Sequence, residues 1–427
     1  NMNSPKIKGR CLACGAVLSE PVFVLDNMPV GAQAMPSKDE LSEDKGVTLP
    51  LCCCPECGLT QFDCEPVEYY RDAIRVVGLS KTMQDLRRTD YAYLIDKFGL
   101  ADKKWLECGC GNGDFLKVLT EFPVDIYGTE AGETNVAEAK SKLCSIDGCP
   151  DSHIMKFFPE RADMDIPGGP FDCFLSFNFL EHQPDPRSML GCIYNNLSEG
   201  GIGLITVPSY EYILEKGSYY ELIRDHIANY DMDSLERLVV TCGFEVLEKA
   251  RIGIGDTLRM VVRKSSSSLN RRKTAPNLPA ADTEKTYQKT SPNEENDISK
   301  SSVLAYNYLM MKRDIAGYME DLERKGRSIA LWGAGHQGFT IASTTALKDN
   351  VKYIIDSSPK KYGRYAPASH LEIVSPDTYF EHPVDVIMIT APGYANEIEK
   401  TIREKYGVRG RGPGVPAICD IIDMTER

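Results

Sequence analysis

KKWLECGCGNGDFLKVL, residues Lys103–Leu119, is the stretch whose reading decides the fold. Trp105–Leu106 ends a short buried strand, and the chain from Asp114 onward predicts an amphipathic helix. Between them Glu107, Gly109, Gly111 and Gly113 alternate with other residues and predict a tight strand-to-helix turn. Glycines at that spacing let a ligand approach the backbone closely. A second strand, around Val124–Tyr127, runs into GTEAG and places Glu130 about twenty residues beyond the turn, where nucleoside-binding folds put a carboxylate for ribose hydroxyls. Further strands are expected at Ile154–Phe158, Phe171–Asn178 and Gly201–Thr206. A helix from about Arg187 and a helix–turn–strand unit over Asp231–Ala250 continue the alternation, with a last strand at Thr257–Val262. This alternation predicts an α/β fold built on a doubly wound sheet.

The turn opens on an acid and contains no Walker lysine. A carboxylate there repels a pyrophosphate but suits a cation such as the amino-acid ammonium of S-adenosylmethionine. Glu107, Gly109, Gly111, Gly113, Glu130 and Asn178, at the end of the fourth strand, form the expected cofactor-binding set. A dinucleotide site and a plain tight turn are the weaker readings.

Upstream, CLACG at Cys11–Gly15 and CCCPECG at Cys52–Gly58 hold two Cys-x2-Cys-Gly repeats. Two such knuckles present four thiolates to one tetrahedral Zn2+; Cys11, Cys14, Cys54 and Cys57 are the expected ligands. A closed four-cysteine set leaves no position for water, so this zinc is expected to be structural. Simple buried cysteines would have to account for two matched spacings.

Downstream, Ser265–Ser301 is rich in Ser, Thr, Asn, Pro, Lys and Glu and reads as a linker or insert. A helix is expected from about Val303 to Lys325, with Leu309, Met310 and Met311 on its buried side. RSIALWGAGHQGFTIAS, Arg327–Ser343, opens a second strand–glycine turn–helix unit, continued by VKYIIDSSP and VDVIMITAP. The expected boundaries are 1–70 for a zinc-binding domain, 71–264 for the methyltransferase core, 265–301 for the linker and 302–427 for a C-terminal Rossmann-like domain.

This order of parts resembles the bacterial sugar C-methyltransferases, which methylate nucleotide-linked 4-keto-6-deoxy sugars, usually at C3. The most specific element is the run Asp356, Pro359, Lys361, Gly363, Tyr365, Pro367, Ser369–His370 and Ile373–Pro376. Cys57–Gln61 is similar to the family's second knuckle as well. The resemblance implies a class I methyltransferase sheet with S-adenosylmethionine as methyl donor. It implies catalytic roles for His226, for Asp225 in place of a glutamate, and for His182 after the fourth strand. The implied reaction is loss of a proton from a carbon beside a ketone to a base, followed by enolate attack on the sulfonium methyl. Imidazole suits the base because its ordinary pKa, about 6.5, lies near working pH. His182, Tyr230 or a tyrosine of the Tyr69–Tyr70 pair is expected to hydrogen-bond the developing enolate oxygen. Two positions depart from the family: Ile223 stands where it has a tyrosine, and Gly333–Gly338 lacks its lysine. His336, Lys361 and Arg364 remain as basic groups for an anionic handle. Methyl transfer to oxygen or nitrogen of another small metabolite, or a non-catalytic zinc-binding adaptor, are the alternative functions.

Composition narrows the partners. The 427 residues fit two to four domains of roughly 100–200 residues. A formal net charge of −13 disfavours nucleic acid as a partner. No apolar run reaches the ~20 residues that span a bilayer, and Asn1–Arg10 is polar, so a cytoplasmic chain without a membrane partner is expected. An odd 15 cysteines argue against a disulfide framework. The sequence leaves monomer and dimer open.

Overall fold

A computed structural model describes residues 9–72, 80–143, 150, 153–265, 294–392, 395–406 and 417–421. Its contacts divide the chain into two compact units: Asn1–Ser19, Cys53–Tyr212 and Ile227–Pro292 form the first, and Glu20–Cys52, Ile213–His226 and Asn293–Arg427 the second.

The first unit is built on seven strands: β1 (Lys104–Cys108), β2 (Asp125–Glu130), β3 (Ile154–Lys156), β4 (Phe171–Phe177), β5 (Leu197–Pro208), β6 (Phe244–Ile252) and β7 (Thr257–Lys264). They lie in the order 3-2-1-4-5-7-6. β7 runs antiparallel to both its neighbours, and the remaining pairs are parallel. This is the doubly wound class I methyltransferase arrangement, and the α/β expectation holds. Period-two alternation explains why the central strands bury both faces. Leu106, Phe174, Ile205, Met260 and Val262 enter one core. Trp105, Cys173, Leu175, Leu204 and Val261 enter the other.

Local signals fix the helices that flank this sheet. Asp185 caps α4 (Pro186–Asn195) by accepting from the Ser188 amide, and Pro186 occupies its first turn. Asp231 and Ser234 close a reciprocal cap on α5 (Met232–Thr241). The first core extends beyond the sheet to Cys11, Leu12, Ala13, Cys54 and Leu59, so the cysteine knuckles are packed into the same hydrophobic cluster as β4 and β5.

In the second unit β8 (Ile329–Trp332), β9 (Ile354–Ile355), β10 (Ile373–Val374), β11 (Val386–Ile389) and β12 (Ala417–Asp420) form an all-parallel sheet in the order 10-9-8-11-12. A hairpin of Phe23–Met28 and Val47–Cys53 and a helix at Glu294–Arg324 belong with it. That helix starts earlier than the sequence suggested. Met311 is buried as expected, but Leu309 is 58% exposed, because it falls on the helix's opposite face. Tyr308 packs edge-on against Phe23 and Tyr219. Most of the expected linker, residues 266–293, lies outside the described residues. Among the described residues no helix is long and apolar enough to cross a membrane.

Candidate functional site

The expected cofactor loop forms at the C-terminal edge of the first unit's sheet, where open α/β sheets hold ligands. Glu107 is fully buried on β1. Gly109, Gly111 and Gly113 all take positive φ, at 69°, 54° and 79°. At Gly109 the absent Cβ matters twice: the backbone is left-handed, and a Cβ would lie 2.6 Å from the Phe179 ring. The Gly111 amide donates to Glu130 Oε2 at 2.9 Å and the Gly132 amide to Oε1 at 2.8 Å. Glu130 is thereby fixed at the end of β2 with its carboxylate already oriented. Asn178, exposed with φ 46°, accepts at Oδ1 from the Thr206 hydroxyl. A glycine cradle, an oriented acid and an exposed amide at one sheet edge fit an adenosyl cofactor with a cationic amino-acid end.

Arg87 was not legible as part of this region. Its side chain is 2% exposed, lies 3.7 Å from the Phe177 ring centroid and donates to Asp90 at 2.9 Å. Burial lowers its pKa, while Tyr91, Asp90 and Glu107 favour its charge.

His182 ends the turn Leu180–His182 that follows β4. Its Nε2 lies 3.8 Å from Oε1 of Glu181, whose side chain is 2% exposed. Neither Glu181 oxygen has a hydrogen-bond partner among the described residues, and burial raises its pKa to about 8. The group is mostly protonated at neutral pH. Tyr230, 1% exposed, is held well above its ordinary pKa first by burial and then by Glu181. A carboxylic acid beside a histidine at this sheet edge can store or donate a proton. The Glu-His pair stands in the sequence, but only folding reveals that the acid is neutral.

The four expected metal ligands converge. Their sulfurs lie within 4.8 Å of one another, with Cys11–Cys57 at 3.4 Å and Cys14–Cys54 at 3.5 Å. Both knuckles use the same geometry: the Gly15 and Gly58 amides donate to the Cys11 and Cys54 carbonyls, at φ 78° and 76°. A tetrahedron of Zn–S bonds of about 2.3 Å has edges of about 3.8 Å, so the set fits Zn2+. Arg237 donates to the Cys57 carbonyl at 3.0 Å and ties α5 to the second knuckle.

His226 and Asp225 belong to the second unit. Asp225 is 2% exposed, and its Oδ2 accepts from the Ala32 amide at 2.8 Å. Arg224 donates to the Val30 carbonyl at 3.1 Å, and the half-buried His226 closes a turn through its amide to Ile223. Ile223, Arg224, Met28, Ala32, His336 and Phe339 line a small cavity. The basic groups of the C-terminal signature are engaged within this unit. Lys361 donates to the Ala334 carbonyl at 2.8 Å and to Asp356 at 3.1 Å. Arg364 lies 3.7 Å from Glu40, and His370 2.9 Å from Asp44.

Residues 83–249 match the family described as "Methyltransferase domain", and residues 255–412 match "C-methyltransferase C-terminal domain". A ubiquinone biosynthesis O-methyltransferase of Psychrobacter arcticus is 28% identical over 110 residues, 26% of this chain and 42% of that protein. One from Pseudomonas aeruginosa is 26% identical over 121 residues, 28% of this chain and 51% of that protein. The chain spans about half the length of the curated relatives it matches. The crystal structure of magnesium protoporphyrin IX methyltransferase from Synechocystis PCC 6803 with bound S-adenosylmethionine is 16% identical, with a TM-score of 0.33, and covers 43% of this chain and 79% of that one.

The strand order and the matched domains define a methyltransferase-type fold followed by a domain of C-methyltransferase C-terminal type. A methyltransferase core followed by a C-methyltransferase C-terminal domain supports, more narrowly, a C-methyltransferase family.

Proposed function

We propose that the protein transfers a methyl group to a carbon of a nucleotide-linked keto-deoxysugar. The observation that carries this reading is the succession of the two matched domains in one chain, the second being of the C-methyltransferase type. Glu107, Gly109, Gly111, Gly113, Glu130 and Asn178 would hold S-adenosylmethionine, which supplies an electrophilic methyl group when bound. Cys11, Cys14, Cys54 and Cys57 would hold a structural Zn2+; a closed thiolate set offers it no part in the chemistry.

In this reading His226 is the base that takes the proton from the carbon next to the acceptor's ketone. His182 donates a hydrogen bond to the enolate oxygen, with Glu181 beside it as a protonated neighbour. Asp225, bonded to the Ala32 amide, holds the backbone on which His226 stands. A second reading, methylation of an oxygen, has one specific support: the curated relatives named above are O-methyltransferases.

Calorimetric titration with S-adenosylmethionine tests the class, and absence of binding at millimolar ligand contradicts both readings. His226→Asn tests the mechanism. It should lower methyl transfer by at least about 100-fold and stop solvent deuterium entering the acceptor, with cofactor affinity retained. Deuterium entry at the wild-type rate would assign the base elsewhere.

A further inference from the structure

The second glycine turn, Gly333–Gly338, leads into a helix whose first two side chains grip a carboxylate of the same chain. Glu221 Oε2 lies 3.0 Å from His336 Nε2, and Gln337 Nε2 donates to Glu221 Oε1. Both donors sit in the first turn of the nine-residue helix α7 (His336–Thr344), whose preceding residue, Gly335, supplies no side-chain cap. The positive end of a helix favours an anion, and here the anion is covalently part of the protein. The rest of the turn is closed too. Asp356 accepts from the Ala334 amide at 2.9 Å, and Lys361 spans Asp356 and the Ala334 carbonyl. A Cβ on Gly338 would lie 2.4 Å from the Gly333 carbonyl, so the turn is tightly folded on itself.

Glu221 also begins the segment that carries Ile223, Asp225 and His226. The chain from Gly217 to Asp225 is fastened to its unit at four further points. Asn307 donates to the Gly217 carbonyl at 3.3 Å, and the Tyr219 hydroxyl meets Thr344 at 3.2 Å. Arg224 holds Val30, and Asp225 holds Ala32, as described above.

We propose that Glu221 is a positioning residue: its carboxylate, held by the His336 and Gln337 side chains at the start of α7, latches the His226-bearing segment to that helix. The Rossmann-like unit then serves catalysis as a rigid mount and does not take a dinucleotide at this turn. The proposal rests on the reading of His226 as the base, and its test keeps the two separable.

The experiment uses the full-length chain as wild type, Glu221→Gln, Glu221→Ala and Gln337→Ala. Hydrogen exchange reads the amides of Leu222 and His226, which bond to the Tyr219 and Ile223 carbonyls. Both alanine variants should exchange there roughly tenfold faster, with Glu221→Gln, which keeps one acceptor oxygen, in between. Calorimetry with S-adenosylmethionine should show unchanged affinity. With dTDP-4-keto-6-deoxyglucose as probe, kcat should fall and KM change little, since a loosened base disturbs the chemical step. NADH titrated to millimolar concentration should give no saturable binding to the wild type. Unchanged exchange in both alanine variants, or saturable NADH binding that displaces no part of the cofactor signal, overturns the proposal. Faster exchange with unchanged kcat upholds the latch and contradicts His226 as the base.

Discussion

The carboxyl of Glu181, held at about 8 in place of its ordinary 4.5, makes folding depend on pH. The folded chain binds this proton more tightly than the unfolded chain does. The group's contribution is therefore most favourable below about pH 4.5 and is lost as pH rises to about 8, at a slope of about 1.4 kcal/mol per pH unit. Glu181→Gln removes the slope. In urea unfolding at pH 5 and pH 8, the variant should gain a few kcal/mol on the wild type at the higher pH. A difference that stays constant across that range would show that the acid is not held neutral. The loop residues Glu107, Gly109, Gly111, Gly113 and Glu130 were readable from sequence because their chemistry is local: glycine spacing, an acid before it and an acid one strand later. The state of Glu181 was not, because it depends on burial, which only the folded chain sets. The latch of Glu221 was hidden for the same reason, since nothing in ELIRDHIANY points to His336 and Gln337.

Among the elements, the β1–loop–α2 unit, with α2 at Asp114–Leu119, bears the sharpest constraint. Gly109→Ala forces a left-handed alanine into the Phe179 ring. It should weaken S-adenosylmethionine binding at least about tenfold in calorimetry and lower stability by about 1–3 kcal/mol. Wild-type affinity would mean that the cofactor does not use this cradle. Strand existence was legible throughout the core because FDCFLSF and GLITV are apolar runs of strand length. Strand ends were not: β2 runs on to Glu130, since its pairing with β3 carries it past Tyr127. The helix expected from Val303 begins at Glu294, in a stretch whose composition alone suggested a linker.

At the scale of the whole molecule the cysteine knuckles are part of the first unit's core, so a metal bound there would stabilise more than its own loops. Removing Zn2+ with a chelator should release one ion per chain and speed exchange at the Gly15 and Gly58 amides. Cys57→Ser should do the same without chelator, with a loss of stability of several kcal/mol in either case. Unaltered exchange after complete metal removal would contradict a structural zinc. Sequence composition suggested domains that follow one another along the chain. The two compact units each draw on three separate segments, and Glu20–Cys52 and Ile213–His226 group with the C-terminal sheet. Periodicity reports which face of an element is buried but not which distant element covers it, and that pairing sets the division.

The central claim is carbon methylation by a base-generated enolate. Its most direct test is mass spectrometry and NMR of the products formed in deuterated water with methyl-labelled S-adenosylmethionine. The substrates are dTDP-, GDP- and CDP-linked 4-keto-6-deoxy sugars. The account expects the labelled methyl on a carbon beside the ketone, and solvent deuterium at that carbon in unreacted substrate. A labelled methyl found only on oxygen or nitrogen, without deuterium at carbon, would contradict it.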